Sequence, residues 1–233
     1  MNPLISVIIP VYNHAHTLRR SVESVFEQTY KPIEVIIIND GSTDNFTEIA
    51  AQIKKKFEVK IINQENMGAP AARNLGFKES GGEYVIFWDA DTMAKPGMLE
   101  KMANVLRCNA SVSYAYSQFR FGWKKMKSHE FDAGLLKRIN YIDVTSLIRR
   151  KDFVGFDESL RRFQDWDLWL TMLEAGTKGE FIPEILYVKI VGGTKNISAW
   201  LPSFAYRLPF ASAVKRVEEY DRAKQIVQRK HRI

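Results

Sequence analysis

Residues 4–11 read LISVIIPV, residues 33–38 read IEVIII and residues 84–88 read YVIFW. All three runs are short, rich in β-branched residues and continuously apolar rather than alternating. Such runs are typical of strands buried on both faces, as in a parallel sheet. The segment after the first run has helical spacing, with apolar residues at Leu18, Val22, Val25 and Phe26. Strand followed by helix, repeated, predicts an open α/β sheet.

The same reasoning predicts further elements along the chain. We expect a short strand at 59–62 and a helix of small residues at 69–78. The second half is less regular. It indicates strands at 111–121, 142–148 and 181–191 and a helix at 166–175. Residues 121–131, FGWKKMKSHEF, are typical of a loop that is mobile or covers a ligand.

Length and composition are those of one folded domain with a short appendage. The chain has 233 residues, of which 45% are hydrophobic and 26% charged. A chain of this length buries roughly 70% of the surface its unfolded form exposes, so its core needs no cross-links. Cys108 is the only cysteine, which excludes a disulfide scaffold and a thiolate zinc site. No apolar run reaches membrane-spanning length and no signal peptide precedes the first strand, so we expect a cytoplasmic protein.

The formal net charge of +7 favours an anionic partner, and most of that charge lies near the C-terminus. Residues 200–233 hold eight basic and three acidic side chains. Their apolar residues recur every three or four positions, which predicts an amphipathic helix of about 20 residues. We therefore divide the chain into an α/β domain at 1–195 and a basic helical tail at 196–233.

Four aromatic residues accompany the tail: Trp200, Phe204, Tyr206 and Phe210. Aromatic residues beside a basic amphipathic helix are suited to an anionic membrane surface, which predicts a protein peripheral to the membrane. The apolar stripe could equally pack on the domain or form a homodimer. Nucleic-acid binding is disfavoured, because the positive charge is concentrated in this one amphipathic segment.

Polar clusters follow the predicted strands, where ligands of open α/β sheets bind. Residues 10–13 follow the first strand, and Tyr12 offers a flat face to a base, although it could simply be a rim residue. Asp40 follows the second strand and could accept hydrogen bonds from a base or ribose. The residues after it are also good helix caps, so capping is the alternative there.

Asp89 and Asp91 follow the strand at 84–88 and flank Ala90. Two adjacent carboxylates repel each other unless a cation lies close by, and Mg²⁺ or Mn²⁺ bridging them to a diphosphate would resolve this repulsion. A solvated turn is the alternative. Arg73, in the small-residue helix, could reach a phosphate or form a surface ion pair.

Residues 164–169, QDWDLW, form a second acidic site. Asp165 could act as a general base, or as an N-terminal carboxylate favoured by the helix dipole. The four histidines contribute little, and both the G-x-G-x-x-G and P-loop motifs are absent.

Five motifs in order resemble the family 2 glycosyltransferases with the GT-A fold, an open mixed sheet flanked by helices. They are SVIIPVYN at 6–13, NDGSTD at 39–44, ARN at 72–74, DAD at 89–91 and FDESL followed by QDWDLWL at 156–170. The resemblance implies a metal-assisted, inverting hexosyltransferase of polysaccharide biosynthesis. Its donor would be a nucleotide-diphosphate sugar, most often a UDP-sugar, and its acceptor a saccharide or lipid-linked hydroxyl.

The resemblance also implies a role for each matching residue. Asp165 would be the general base and Asp91 the ligand of Mn²⁺ or Mg²⁺. Donor-binding residues would be Pro10, Tyr12, Asn13, Asp40, Arg73, Asp89 and Ala90. Gln164 and Trp166 would lie on the acceptor side.

The sequence departs from the family pattern at two places. Gln164 stands where the family usually has glutamate, and residues 187–191, YVKIV, lack the usual late histidine. A third protein ligand to the metal is therefore not expected. Two alternatives stay open: a non-catalytic, membrane-associated nucleotide-sugar-binding module, and a sugar-nucleotide pyrophosphorylase. The second should have a Gly-rich basic phosphate loop after the first strand, which this sequence lacks.

Overall fold

Four parallel strands form the first half of a single sheet, as the apolar runs predict. In this computed structural model, which describes residues 2–191 and 215–233, these strands have the order β3-β2-β1-β4. Their bounds are β1 (Ile5–Val11), β2 (Ile33–Asp40), β3 (Lys60–Gln64) and β4 (Tyr84–Phe87). The helices that connect them are α1 (Ala15–Phe26), α2 (Phe46–Lys56) and α3 (Ala69–Lys78). Every residue of β1 and β4 is buried, which explains the continuous apolar runs.

The second half continues the sheet as β4-β8-β6-β9-β5, with a hairpin strand β7 beside β6. The strands are β5 (Thr92–Ala94), β6 (Tyr114–Phe121), β7 (Lys124–Lys125), β8 (Leu147–Arg149) and β9 (Gly179–Lys189). The helices are α4 (Met98–Cys108), α5 (Ala133–Leu136) and α6 (Gln164–Glu174), with a 3-10 turn at Arg150–Asp152. Because β8 is antiparallel to both its neighbours, the sheet is mixed, as predicted.

Some predicted bounds need correction. The strand expected at 142–148 is only the three-residue β8, and the region 121–131, expected to be a loop, contains β7. Helix α4 and strand β5 were not predicted. Three-residue strands carry too little sequence for a periodic pattern, whereas α4 does bury an amphipathic face.

Helix α3 lies unusually close to the sheet. Buried Ala72 packs with Ile36 and Ile38 of β2, and a Cβ added to Gly76 would overlap the side chain of Ile8 in β1. The small residues of α3 permit this close approach, which brings Arg73 to the end of β4.

The C-terminal helix α7 (Lys215–Lys230) packs on the domain. Val217 and Val227 are buried, and Tyr220 stacks edgewise on Phe163 beside α6. For residues 215–233 the structure thus favours packing on the domain over the two other arrangements considered, a membrane contact and a homodimer. The four aromatic residues at 200–210 lie outside the described residues. No helix in the described part of the chain is long and apolar enough to span a membrane.

Candidate active site

The loops after β1 and β2 are fastened to each other. Asn13, with a φ of 55°, accepts hydrogen bonds through Oδ1 from the backbone N–H groups of Thr43 at 2.7 Å and Asp44 at 3.2 Å. In return, Asp44 accepts a hydrogen bond from the N–H of Ala15 at 2.9 Å, in the first turn of α1. Asn13, predicted to bind the donor, therefore also holds this edge of the sheet together.

Asp40 organises the start of α3. Its carboxylate is 2% exposed and accepts hydrogen bonds from Gln64 Nε2 at 2.7 Å, Met67 N at 2.8 Å and Gly68 N at 2.9 Å. Gly68 has a φ of 93°, a conformation that favours glycine. Three lone-pair positions are thus already used, and little of Asp40 is left for a base or ribose.

Two other predicted donor-binding residues differ in their access to solvent. Tyr12 is 46% exposed, so part of its side chain is open to a ligand. Pro10 lies within β1, buried and opposite Ile38 of β2, where it shapes the strand rather than lining the surface.

Asp89 is held between two cations. Its Oδ1 lies 2.9 Å from an Nη of Arg73 and its Oδ2 lies 2.8 Å from Lys189 Nζ. Both cationic side chains are only 9% exposed. Burial alone would raise the pKa of Asp89, but Lys189 and Arg73 outweigh it and hold that pKa well below its ordinary value. Asp89 is therefore a carboxylate under all ordinary conditions.

Lys189 was not predicted as a site residue, and neither was Asp143. Lys189 Nζ also lies 2.7 Å from Asp143 Oδ2, while Asp143 Oδ1 accepts a hydrogen bond from the Tyr187 hydroxyl at 2.9 Å. Burial opposes the charge of Lys189, but Asp143 and Asp89 more than compensate and raise its pKa. The sequence does give one indication of the role of Lys189, because a lysine inside the apolar run YVKIV is unusual unless its charge is paired.

Asp91 has the opposite character to Asp89. Its Oδ1 atom is buried and has no hydrogen-bond partner among the described residues. Burial, and then repulsion by Asp89, raise the pKa of Asp91 to about 6. The turn that presents it is fixed by the hydrogen bonds Thr92 N to Asp89 O and Ile190 N to Asp91 O, both 2.9 Å, with Ala90 buried between the two carboxylates.

These residues fit a divalent cation that is shared with a ligand. No group of three or more His, Cys, Asp or Glu side chains in the described residues could hold a metal by itself. The site nevertheless has an excess of negative charge. Its four carboxylates are Asp89, Asp91, Asp143 and Asp165, and its two cations are Arg73 and Lys189. Mg²⁺ is commonly bound by one or two carboxylates together with substrate phosphates. The unpartnered Oδ1 of Asp91 matches that mode.

The first turn of α6 borders the same site. Gln164 Oε1 accepts a hydrogen bond from Arg73 at 2.9 Å, so a neutral side chain contacts this guanidinium at the position where the resemblance leads us to expect glutamate. Burial raises the pKa of Asp165 above its ordinary value, with Asp143 adding to the effect and a hydrogen bond from Asn140 opposing it. A carboxylate with a raised pKa is a stronger base.

Trp166 does not reach the acceptor side. Its indole is 1% exposed and donates a hydrogen bond to the backbone oxygen of Leu136 at 2.7 Å. The side chain is part of the core and offers no surface to an acceptor, so this prediction is corrected. Of the two residues expected there, only Gln164 borders the site.

His14, one of the four histidines to which the sequence assigns no role, lies near the site. It precedes α1, and its Nδ1 atom is buried without a hydrogen-bond partner among the described residues. Burial and the neighbouring His16 lower its pKa, while Asp89 opposes them. A neutral imidazole therefore faces this edge.

Helix α7 braces α6 from behind. Asp167, 2% exposed, lies 2.8 Å from both Lys230 Nζ and His231 Nε2. Lys230 also contacts Asp157 at 2.7 Å. The helix that carries Gln164 and Asp165 is thus fixed by charged contacts with the C-terminus.

Comparison with known proteins gives consistent results. The family model described as "Glycosyl transferase family 2" matches residues 6–167. An uncharacterized glycosyltransferase of Rickettsia conorii is 32% identical over 203 residues, covering 82% of this chain and 34% of that protein. A cholesterol galactosyltransferase of Borreliella burgdorferi is 42% identical over 108 residues, covering 46% of this chain and 30% of that protein. The chain spans about a third of the length of these relatives.

Two solved structures share the fold. TarS 1–349 of S. aureus, in complex with UDP-GlcNAc, superposes with a TM-score of 0.72 at 19% identity, covering 89% of this chain and 64% of that one. The mannosyltransferase PcManGT of Pyrobaculum calidifontis, in complex with GDP-Man and Mn²⁺, gives a TM-score of 0.67 at 17% identity, covering 89% and 61%.

Proposed function

The chain belongs to glycosyl transferase family 2 and is a GT-A transferase, and we propose that it inverts the anomeric carbon of a nucleotide-diphosphate sugar as it transfers that sugar to a hydroxyl. The observation that carries this proposal is the contrast between two neighbouring carboxylates. Asp89 is saturated by Arg73 and Lys189, whereas Asp91 keeps a buried oxygen without a partner. One carboxylate with cationic partners beside one with an unpartnered oxygen is an arrangement suited to binding a cation and a charged ligand.

Asp91 and the ligand's diphosphate oxygens would together hold Mn²⁺ or Mg²⁺. Such an ion, when bound, offsets the negative charge on the departing nucleoside diphosphate. Arg73 and Lys189 contribute fixed positive charge at the same place, and Asp89 keeps both oriented. Because Gln164 is neutral, Asp89 is the one anionic partner of Arg73 among the described residues, and the guanidinium keeps more of its charge for the donor.

Asp165 is the proposed general base. It would take the proton of the acceptor hydroxyl as that oxygen attacks the anomeric carbon and the bond to the diphosphate breaks. Its raised pKa suits this role, because a carboxylate of ordinary pKa binds a proton only weakly at neutral pH.

The nucleoside would lie along the edge formed by Tyr12 and Asn13, where Asp40 would act chiefly by holding the start of α3 in place. We propose uridine as the base, since UDP-sugars are the donors the family resemblance favours. TarS has been solved with UDP-GlcNAc and PcManGT with GDP-Man, so both bases belong in the test.

The acceptor is proposed to be a saccharide or a lipid-linked saccharide, used in polysaccharide synthesis at the cytoplasmic face of a membrane. In this proposal residues 1–195 form the transferase domain. The tail at 196–233 contributes α7 as a brace and its aromatic segment as a peripheral membrane contact. A homodimer through this tail is the other arrangement to be tested.

A thermal-shift panel tests the donor site. UDP, GDP, dTDP and CDP are each added with and without Mn²⁺, and a ligand at 100 times its Kd stabilises the folded state by about 2.7 kcal/mol. We expect a metal-dependent shift with one nucleotide that is lost in Asp91→Asn and kept in Asp221→Asn, a matched change at an exposed carboxylate on α7. The proposal fails if no nucleotide shifts the melting temperature, or if Asp91→Asn leaves the shift intact.

A further inference from the structure

The hairpin between β6 and β7 carries the most exposed tryptophan of the described residues. Trp123 is 91% exposed and follows Gly122, whose φ of 58° makes the turn. A tryptophan side chain buries 150–250 Å² when it is covered, so full exposure at a hairpin tip forgoes a large apolar contact. We call residues 120–127 the basic hairpin.

The charges of the basic hairpin are all of one sign. Its ionisable residues are Arg120, Lys124, Lys125 and Lys127, and all four are exposed. Arg120 and Lys125 are directly opposite each other in the antiparallel pair, an arrangement of like charges that destabilises a hairpin. No carboxylate in residues 2–191 or 215–233 forms an ion pair with any of them. An anionic partner would offset this repulsion.

The basic hairpin lies at the same edge as the proposed active site. Strand β6 runs parallel to β9, with Phe121 paired to Lys189, and the N–H of Gly122 donates to the Lys189 carbonyl oxygen at 2.9 Å. Lys189 is the residue whose ammonium contacts Asp89. Val191, 56% exposed, lies against Gly122 and extends the apolar tip. A partner that binds Trp123 would therefore lie beside the proposed active site.

We propose that the basic hairpin docks on the surface of an anionic lipid bilayer, with Trp123 in the interface and the four cations on lipid phosphates. Tryptophan is suited to this boundary because one end of its ring is apolar and the other can donate a hydrogen bond. Basic residues near an anionic bilayer each strengthen binding. A saccharide stacking on Trp123 would account for the ring but not for four unpaired cations around it.

This docking would turn the edge that carries Asp91 and Asp165 toward lipid-linked acceptors. The docking proposal thus extends the proposed function, and it rests on the lipid-linked acceptor proposed there. The contact is distinct from the tail, since it lies between β6 and β7 of the sheet itself.

Vesicle pelleting of the full chain tests the docking without donor or turnover. The vesicles are phosphatidylcholine with and without phosphatidylglycerol. We expect binding only with the anionic lipid. Neutralising two cations in Lys124→Gln/Lys125→Gln should weaken it about 25-fold, at about fivefold per basic residue. The matched control is Lys54→Gln/Lys55→Gln, which removes the same charge from exposed positions on α2 and should change binding less than about twofold. Trp123→Ala should also weaken binding.

Three results would overturn the proposal: no binding to anionic vesicles, equal loss in both double variants, or a raised KM of Trp123→Ala for a soluble saccharide acceptor with vesicle binding unchanged. The last would assign Trp123 to the acceptor. The nucleotide thermal shift of each variant is measured in parallel. A hairpin variant that keeps its shift but loses vesicle binding supports the docking, whereas wild-type protein that binds vesicles without any nucleotide shift would refute the transferase proposal alone.

Discussion

Replacing Asp91 by asparagine should stabilise the metal-free protein while abolishing its metal-dependent donor binding. Asp91 is half-buried beside Asp89, with its buried Oδ1 oxygen unpartnered, so its negative charge costs free energy in the folded state. Asparagine keeps the shape and removes the charge. A residue kept only for structure would give the opposite result, because its replacement would destabilise the fold.

The size of the effect follows from the pKa. Folding raises the pKa of Asp91 from 3.8 to about 6, and each pKa unit corresponds to about 1.4 kcal/mol. The full shift would be about 3 kcal/mol; allowing for solvent screening of a partly exposed group, we expect about 1–2 kcal/mol. Below pH 3.8 both states are protonated and the cost is absent. It grows as the pH rises and is complete above the folded pKa of about 6.

Urea unfolding in EDTA at pH 8 and pH 4 measures this directly. Asp91→Asn should exceed wild type by about 1–2 kcal/mol in free energy of unfolding at pH 8, and the gain should nearly vanish at pH 4. Asp221→Asn serves again as the control. If Asp91→Asn is neutral or destabilised at pH 8, Asp91 is not an uncompensated carboxylate and the argument for a cation beside it fails.

Three further predictions concern the base, the ion network and the helix packing. Asp165→Asn should lower kcat by about 10²–10⁴-fold and leave the nucleotide thermal shift unchanged; retained kcat would remove Asp165 from the mechanism. Lys189→Met should lower the free energy of unfolding by about 3–5 kcal/mol, because two buried carboxylates lose their shared cation; a loss under about 1 kcal/mol in urea unfolding would contradict this buried network. Gly76→Ala should cost about 1–3 kcal/mol by forcing α3 away from β1, and a neutral result would show that the close approach is not needed.

Most of the parallel half of the fold was predictable because β1, β4 and the middle of β2 are buried on both faces. Such strands leave continuous apolar runs in the sequence. The small residues of α3 are likewise typical of a helix that packs close to a sheet. Strands β5 and β8 have three residues each, and pairing with distant strands rather than local pattern defines them. Helix α4, by contrast, carries an amphipathic pattern in its own sequence, with buried residues recurring every three or four positions.

The site was predictable where its residues follow strands and unpredictable where they meet across the fold. Asp89 and Asp91 were placed by their position after β4. Lys189 and Asp143 were missed because Lys189 lies 100 residues from Asp89 and 46 from Asp143. Nor could the sequence reveal that two backbone N–H groups already occupy Asp40.

The central claim, inverting transfer from a nucleotide-diphosphate sugar, is tested most directly by NMR of the anomeric proton during turnover. The protein is incubated with UDP- and GDP-sugars and Mn²⁺, with water or a saccharide as acceptor, beside Asp165→Asn. We predict release of the nucleoside diphosphate from one donor, first appearance of the product with inverted configuration, and neither signal from the variant. Retained configuration, or equal release by wild type and Asp165→Asn, would contradict the mechanism.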